Sequence, residues 1–153
     1  MTCYTIDDLA IMTGLTTRTL RNYIKNGVLR GEKAGGKWRF TLEDYAAFLD
    51  DPAVRQTLRA RANAVVSDFL ADTAKKSDAA CVILDFAATD EEGERIADFF
   101  CDGANRFAGV KFSYSRRRGV SRVILTGDRA RVTELAAAYD AHAGDGKEKT
   151  EWN

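Results

Sequence analysis

Hydrogen-bonding and basic side chains cluster between positions 16 and 25 and have the composition of a nucleic-acid-binding face. Arginine and asparagine can pair bidentately with the edges of guanine and adenine, and basic side chains attract phosphate. No acidic residue interrupts the stretch. A solvated helix face would have the same composition, so the surrounding elements must decide between the two interpretations. The candidate DNA-binding residues are Thr16, Thr17, Arg18, Arg21, Asn22 and Lys25.

A short helix is predicted to present these side chains. Leu20, Tyr23 and Ile24 recur at helical spacing and would form the opposite, apolar face. The Thr16 hydroxyl can accept a hydrogen bond from the first turn, which marks the start of the helix. Asn26-Gly27 marks its end, because both residues tolerate the left-handed geometry that terminates helices.

The flanking sequence predicts a helix before this one and a β-hairpin after it. Thr5 and Asp8 have the spacing of a capping box, and a turn containing Gly14 follows the first helix. Two helices joined by a short glycine-containing turn, with a basic face on the second, are typical of a helix-turn-helix motif. Gly35-Gly36 predicts a tight hairpin turn, or wing, and Thr41 starts a third helix.

The predicted wing supplies two further candidate DNA-binding residues. Trp38 and Phe40 alternate onto one side of a strand, where they would seat the wing on the helices. Lys37 and Arg39 would then face solvent or a phosphate backbone. Seven basic residues and one acidic residue lie between positions 18 and 39, a net charge of +6. Because 23 basic residues balance 23 acidic ones over the whole chain, this local excess is typical of a DNA-binding module.

Three segments of the first third of the chain carry a family pattern. Residues 13–21 match T-G-x-[ST]-x-R-T-[LI]-R, residues 27–29 match G-x-L, and residues 36–40 match G-x-x-R-[FY]. With these segments, the first third of the chain resembles the winged helix-turn-helix of the MerR family and its excisionase-like relatives.

This resemblance implies roles for individual residues. Thr17, Arg18 and Arg21 would meet DNA from a recognition helix, and Arg39 would contact phosphate from the wing. The chain departs from the pattern at Asn22, where MerR regulators usually have a second tyrosine. Its Lys-Trp-Arg-Phe wing is closer to the excisionase-like modules.

The composition sets further bounds. A chain of 153 residues makes one domain or two small ones, and no apolar run approaches the about 20 residues of a membrane span. The N-terminus lacks a signal-peptide pattern, so we expect a cytoplasmic protein. The three cysteines are widely spaced, which argues against disulfides and a zinc site. The single proline, Pro52, marks a domain boundary.

A long helix is predicted from Asp51-Pro52 to about Lys76. Its apolar residues recur every three or four positions, which makes one stripe. The stripe would either pack within the chain or form a dimer interface, and MerR-like regulators dimerise through a helix at this position. Its members are Val54, Leu58, Ala62, Val65 and Phe69.

The last part of the chain predicts a small α+β unit. Residues 79–86 are continuously apolar and are expected to form a central strand that is buried on both faces. A helix, two strands joined by a turn at Arg117-Arg118-Gly119, and a final helix follow. This β-α-β-β-α order resembles a ferredoxin-like half that lacks its last strand, and the open sheet edge would favour pairing with a second copy.

We find no nucleophile–base pair, metal-ligand spacing or phosphate loop here, so neither an enzyme nor a cofactor is expected. Arg116-Arg117-Arg118 would be a solvated turn or a contact for an acidic ligand. An aromatic set would either be core or enclose a small-molecule effector. This set comprises Phe86, Phe99, Phe112 and Tyr114.

Together these patterns predict an α+β protein with an N-terminal winged helix-turn-helix and a C-terminal two-layer α/β domain, joined by a long helix. The expected division is a DNA-binding domain at 1–51, a linker or dimerisation helix at 52–77, a dimerisation or effector domain at 78–143, and a flexible tail at 144–153. The expected function is a transcription regulator that binds double-stranded DNA as a homodimer. It would place the recognition helix in the major groove and the wing on the phosphate backbone. The alternatives are an excisionase-like architectural factor and a protein–protein adaptor that uses the winged helix.

Overall fold

The computed structural model describes residues 3–71 and 77–144 and has the predicted α+β architecture. Residues 145–153 of the tail predicted at 144–153, and residues 72–76 of the linker helix predicted at 52–77, lie outside the described residues. Gly144 is the last residue of a helix. The elements in chain order are α1 (Ile6–Thr13), α2 (Thr17–Lys25), β1 (Glu32–Ala34), β2 (Lys37–Arg39), α3 (Leu42–Asp50), α4 (Pro52–Ala71), β3 (Ala79–Ala87), α5 (Asp90–Arg106), β4 (Val110–Arg117), β5 (Val120–Asp128) and α6 (Arg129–Gly144).

The helix starts confirm the capping patterns of the sequence. Thr5, Thr41 and Thr89 each accept a hydrogen bond from the backbone N–H three residues on, and the acidic side chain at that position bonds back to the cap. Each pair satisfies two N–H groups that a helix start leaves free. Thr16 caps α2 through the N–H of Thr19.

The N-terminal helices and the wing share one core. Leu9, Leu20 and Phe48 are fully or almost fully buried between the helices. Phe40 is also fully buried and exchanges two backbone hydrogen bonds with Tyr4, so the residue that follows the wing is tied to the start of the described chain. The C-terminal end of the wing is therefore fixed to the beginning of the described chain.

The C-terminal sheet has the strand order β3-β5-β4, and both pairs of neighbours are antiparallel. Leu84, Val123 and Tyr114 lie directly opposite one another across the three strands. α5 and α6 cover the face that carries these side chains. This strand order is that of a ferredoxin-like unit without its last strand. The sequence predicted the β-α-β-β-α order of elements along the chain but not the order of the strands in the sheet.

The prediction that residues 79–86 form the central strand was wrong, because β5 is central and β3 lies at an edge. The α5 crossover leaves a one-strand gap between β3 and β4. The tight turn at Arg118 (φ +51°) and Gly119 (φ +75°) folds β5 back into that gap. Only one face of β3 packs on a helix, and Ile83 on the other face keeps 49% of its surface exposed.

The two halves of the chain are packed together. α1 and α3 contact β4, and the Tyr45 hydroxyl donates a hydrogen bond to the backbone carbonyl of Tyr114. The Tyr4 hydroxyl donates to the Asp98 carboxylate on α5. Burial raises the pKa of Tyr4 and of Tyr45, so both phenols stay protonated and keep donating.

α4 uses only part of its apolar stripe within the chain. Val54 is buried and Leu58 is half-buried against the core, whereas Val65 is 40% exposed and Leu70, outside the stripe, is 75% exposed. Arg61 reaches from α4 to donate to the carbonyl of Gly14 in the turn before α2. Within the described ranges, none of the helices combines the length and the apolar character that a membrane span requires.

Candidate nucleic-acid interface

α2 separates its apolar and basic side chains onto opposite faces. Leu20 is fully buried, and Tyr23 and Ile24 are half-buried against the core. On the opposite face, the predicted DNA-binding side chains are exposed to solvent. These are Arg18, Arg21, Asn22 and Lys25.

Thr16 has a structural role in the free protein, because it caps α2. The Thr16 hydroxyl accepts from the N–H of Thr19 at 3.2 Å and lies 3.0 Å from the Thr19 hydroxyl. Thr17 is half-buried in the first turn. The first turn of α2 carries no acidic residue, so the positive end of the helix dipole remains available to an anion.

The wing is a two-stranded hairpin whose turn needs glycine twice. Gly35 and Gly36 have φ of +58° and +77°, the left-handed values of a type I′ turn. Trp38 stacks on Phe40 at 6.3 Å between ring centroids, which seats the wing as the sequence predicted. The Lys33 ammonium lies 5.9 Å from the centre of the Trp38 ring, a cation–π contact that sequence reasoning missed.

Lys37 and Arg39 differ in exposure. Lys37 is exposed at the tip of the wing, and Arg39 is half-buried at its base, directly opposite Glu32 on the neighbouring strand. Lys37 is therefore free to contact a phosphate. Arg39 faces a carboxylate within its own hairpin, and only part of its side chain reaches solvent.

The basic residues of this region form no ion pairs among the described residues. Every salt bridge of the described chain lies after position 49, and each one joins an arginine to an aspartate. The charge of the stretch from Arg18 to Arg39 is consequently not paired with acidic side chains of the described residues. An uncompensated basic surface of this kind attracts a polyanion.

The arginines near the β4–β5 turn follow a different pattern. Arg116, one tenth exposed, donates to the Ser121 hydroxyl at 2.9 Å, to the carbonyl of Ala88 at 2.8 Å and to Asp90 at 3.0 Å. It joins the start of α5 to the sheet and is not available to an outside ligand. Sequence reasoning missed this role because its partners lie up to 28 residues away.

The predicted effector-binding aromatics lie in the C-terminal core. Phe112 and Tyr114 are buried, Phe112 stacks on Phe100 at 6.3 Å, and Phe86 meets Tyr139 edge-on at 5.1 Å. A cavity of about 580 Å³ does lie between the end of α4 and the sheet, but none of the four aromatics lines it. An effector function for them stays a prediction.

Two further observations concern site chemistry. Burial raises the pKa of the Cys101 thiol to about 12, and the nearby Asp8 carboxylate adds to the effect, so this thiol stays protonated. Across the part of the chain that the structure describes, no cluster of three or more His, Cys, Asp or Glu is placed to hold a metal ion.

Comparison with known proteins bears on the first third of the chain. No curated protein and no solved structure matches the chain. A family model does match the N-terminal part, which contains α1, α2, the wing and α3. Residues 3–51 match the family model of a helix-turn-helix domain.

Proposed function

We propose that this protein is a sequence-specific transcription regulator that binds double-stranded DNA in the cytoplasm. One observation carries the proposal. The exposed face of α2 bears Arg18, Arg21, Asn22 and Lys25 without an acidic neighbour, within a helix-turn-helix domain. Phosphate and base edges complement such a face, because Arg and Asn supply bidentate donors and Lys supplies charge.

The proposal divides the work between α2 and the wing. Arg18, Arg21 and Asn22 would enter the major groove and read base edges, as the second helix of this motif does. Lys37 at the tip of the wing would contact phosphate, and Arg39 would support it from the base. Lys25, at the end of α2, would contact the backbone beside the groove. Thr16 and Thr17 would hold the start of α2 against the phosphate backbone of the DNA.

We further propose that the protein acts as a homodimer. One winged module makes few phosphate contacts, and a two-fold dimer doubles them on half-sites about one helical turn apart. An excisionase-like architectural factor would use the same face of α2. A protein–protein adaptor would not require the arginines on this face of α2.

Selection of bound fragments from random duplex DNA tests the proposal. We expect the wild type to enrich one motif, arranged as an inverted repeat if the protein binds as a dimer. The double variant Arg18→Glu, Arg21→Glu should enrich nothing, because two acidic side chains would face phosphate. Arg59→Glu is the matched control, since Arg59 is exposed on α4 outside the domain.

The control should enrich the wild-type motif. Failure of the wild type to enrich any sequence, or an unchanged motif with the double variant, would contradict the proposal. The first result would favour the adaptor.

A further inference from the structure

The two edges of the C-terminal sheet differ. The outer edge of β4 is covered by α1 and α3, and the Tyr45 hydroxyl bonds to the Tyr114 carbonyl there. The outer edge of β3 has no neighbouring strand in the described chain. This is the position that the last strand of a βαββαβ unit would occupy.

The Tyr45 contact determines which residues of β3 face outward. Because the Tyr114 carbonyl points away from β5, Tyr114 and the opposite residue Val123 are not hydrogen-bonded to each other. Val123 must therefore point its backbone groups toward β3, where it bonds with the opposite Leu84. Backbone direction alternates along a strand, so Ile83 points its N–H and C=O to the open edge.

Other hydrogen bonds agree with this alternation. The N–H of Ala88 donates to the carbonyl of Gly119, and the carbonyl of Asp78 accepts from Arg129. Both even-numbered residues thus face β5. Ile83 and Asp85, which are odd-numbered, have outward N–H and C=O groups with no hydrogen-bond partner among the described residues.

The open edge lacks the features that block strand pairing. Its nine residues include no proline, glycine or lysine, and its one charged residue is Asp85. Arg122 neutralises that carboxylate with two hydrogen bonds of 2.7 and 2.8 Å. Ile83 leaves 49% of its surface exposed beside this edge. A long, mostly apolar edge whose one charged residue is already paired is a template for another strand.

We propose that the occupant of this edge is β3 of a second copy of the chain, paired antiparallel about a two-fold axis at Ile83. This register is the one that pairs all nine residues of β3. It sets Ile83 opposite the partner's Ile83 as a hydrogen-bonded pair and Val82 opposite the partner's Leu84. No charge lies opposite a like charge, whereas a two-fold axis at Asp85 would oppose two carboxylates.

This pairing makes one six-stranded sheet and deepens the homodimer of the proposed function. Five strand spacings of about 4.8 Å separate the two β4 strands by about 24 Å. Each helix-turn-helix domain packs on a β4 edge, so the two domains lie farther apart than that. This separation is compatible with binding in two successive major grooves, which lie about 34 Å apart along the same face of the DNA. A dimer through α4 alone could use only part of the apolar stripe of that helix, because Val54 is already buried and Leu58 is half-buried within the chain.

Sedimentation equilibrium of the full chain tests the interface with two variants of one residue. Ile83→Pro removes an outward N–H and leaves the ladder to β5 intact, and Ile83→Lys puts a charge at the two-fold axis. We expect the wild type to have the mass of two chains and both variants the mass of one. Both should retain cooperative thermal unfolding. Leu70→Lys, on exposed α4, is the control and should stay dimeric.

Several outcomes would overturn the proposal. They are a monomeric wild type, a dimer that both Ile83 variants leave intact, and a dimer that Leu70→Lys dissociates. A monomer in which the Ile83 amide is protected from hydrogen exchange until residues 145–153 are deleted would assign the edge to the chain's own tail.

The test is separable from that of DNA binding. The variant Arg18→Glu, Arg21→Glu should lose DNA while it sediments as a dimer. Ile83→Lys should sediment as a monomer and still bind a single half-site, with lower affinity for the inverted repeat. Failure of one proposal therefore leaves the other standing.

Discussion

Basic residues serve different purposes in the two halves of this protein. Between positions 18 and 39 seven of them stand against one acidic residue, and no ion pair involves them among the described residues. In the C-terminal half, Arg116, Arg122 and Arg129 each pair with an aspartate. The comparison shows that charge paired within the chain holds elements together, whereas unpaired charge is available to a partner.

Burial separates the paired arginines further. The side chain of Arg116 is one tenth exposed and bonds to three groups, whereas that of Arg122 is 54% exposed and bonds to one carboxylate. A hydrogen bond from a charged group contributes more when it is shielded from water. There are therefore three kinds of arginine among the described residues of this protein: buried and paired, exposed and unpaired, and exposed and paired. One substitution of each kind tests the comparison, in order of expected effect.

Replacement of the buried arginine should have the largest effect. Arg116→Ala leaves the carbonyl of Ala88 and the hydroxyl of Ser121 without their charged donor, so we expect a loss of about 3 kcal/mol in the free energy of unfolding. Urea denaturation measures it, and the exposed neighbour Arg117→Ala is the control, expected to change stability by less than about 0.5 kcal/mol. Equal effects of the two variants would remove the distinction between buried and exposed arginines.

Replacement of an unpaired arginine should change DNA binding and leave stability nearly unchanged. Arg18→Ala should weaken binding to the selected DNA by about 1–3 kcal/mol and relax the preference at one base position. Lys37→Ala should weaken binding to all DNA sequences alike. It should also reduce the magnitude of the slope of log K against log salt by about 0.9, the value for one lost phosphate contact. Fluorescence anisotropy across a salt series measures both. If the two variants behave identically, α2 and the wing do not divide the work as proposed.

Replacement of the exposed paired arginine should have the smallest effect. Arg122→Ala should cost about 0.2–1 kcal/mol of stability at neutral pH, because both side chains are largely hydrated. Arg122 holds the pKa of Asp85 below its ordinary value, so the ionised carboxylate stabilises the fold. This contribution is complete above the unfolded pKa of about 3.9 and is lost as the pH falls through the lower folded pKa.

The difference between wild type and Arg122→Ala should therefore disappear in strong acid. Thermal unfolding measured from neutral pH downward checks the sign. A difference that grows as the pH falls would mean that Asp85 is not stabilised by Arg122.

The sequence by itself determined the local features of this protein. The caps at Thr5, Thr16 and Thr41 and the glycine turn of the wing depend on residues three or fewer positions apart, so propensity and hydrogen-bonding chemistry predict them. The order of helices and strands, the buried position of Leu20 and the exposure of Arg18 also followed from periodicity.

Only the tertiary structure decided which strand lies in the middle and which arginines are free. The apolar run of β3 predicts a strand but not the position of that strand in the sheet. A central strand and an edge strand that packs on a helix can have the same apolar composition. The three partners of Arg116 and the contact between Tyr45 and Tyr114 join positions 5 to 69 residues apart. Such contacts form because the packed sheet brings distant segments together, and no local pattern encodes that proximity.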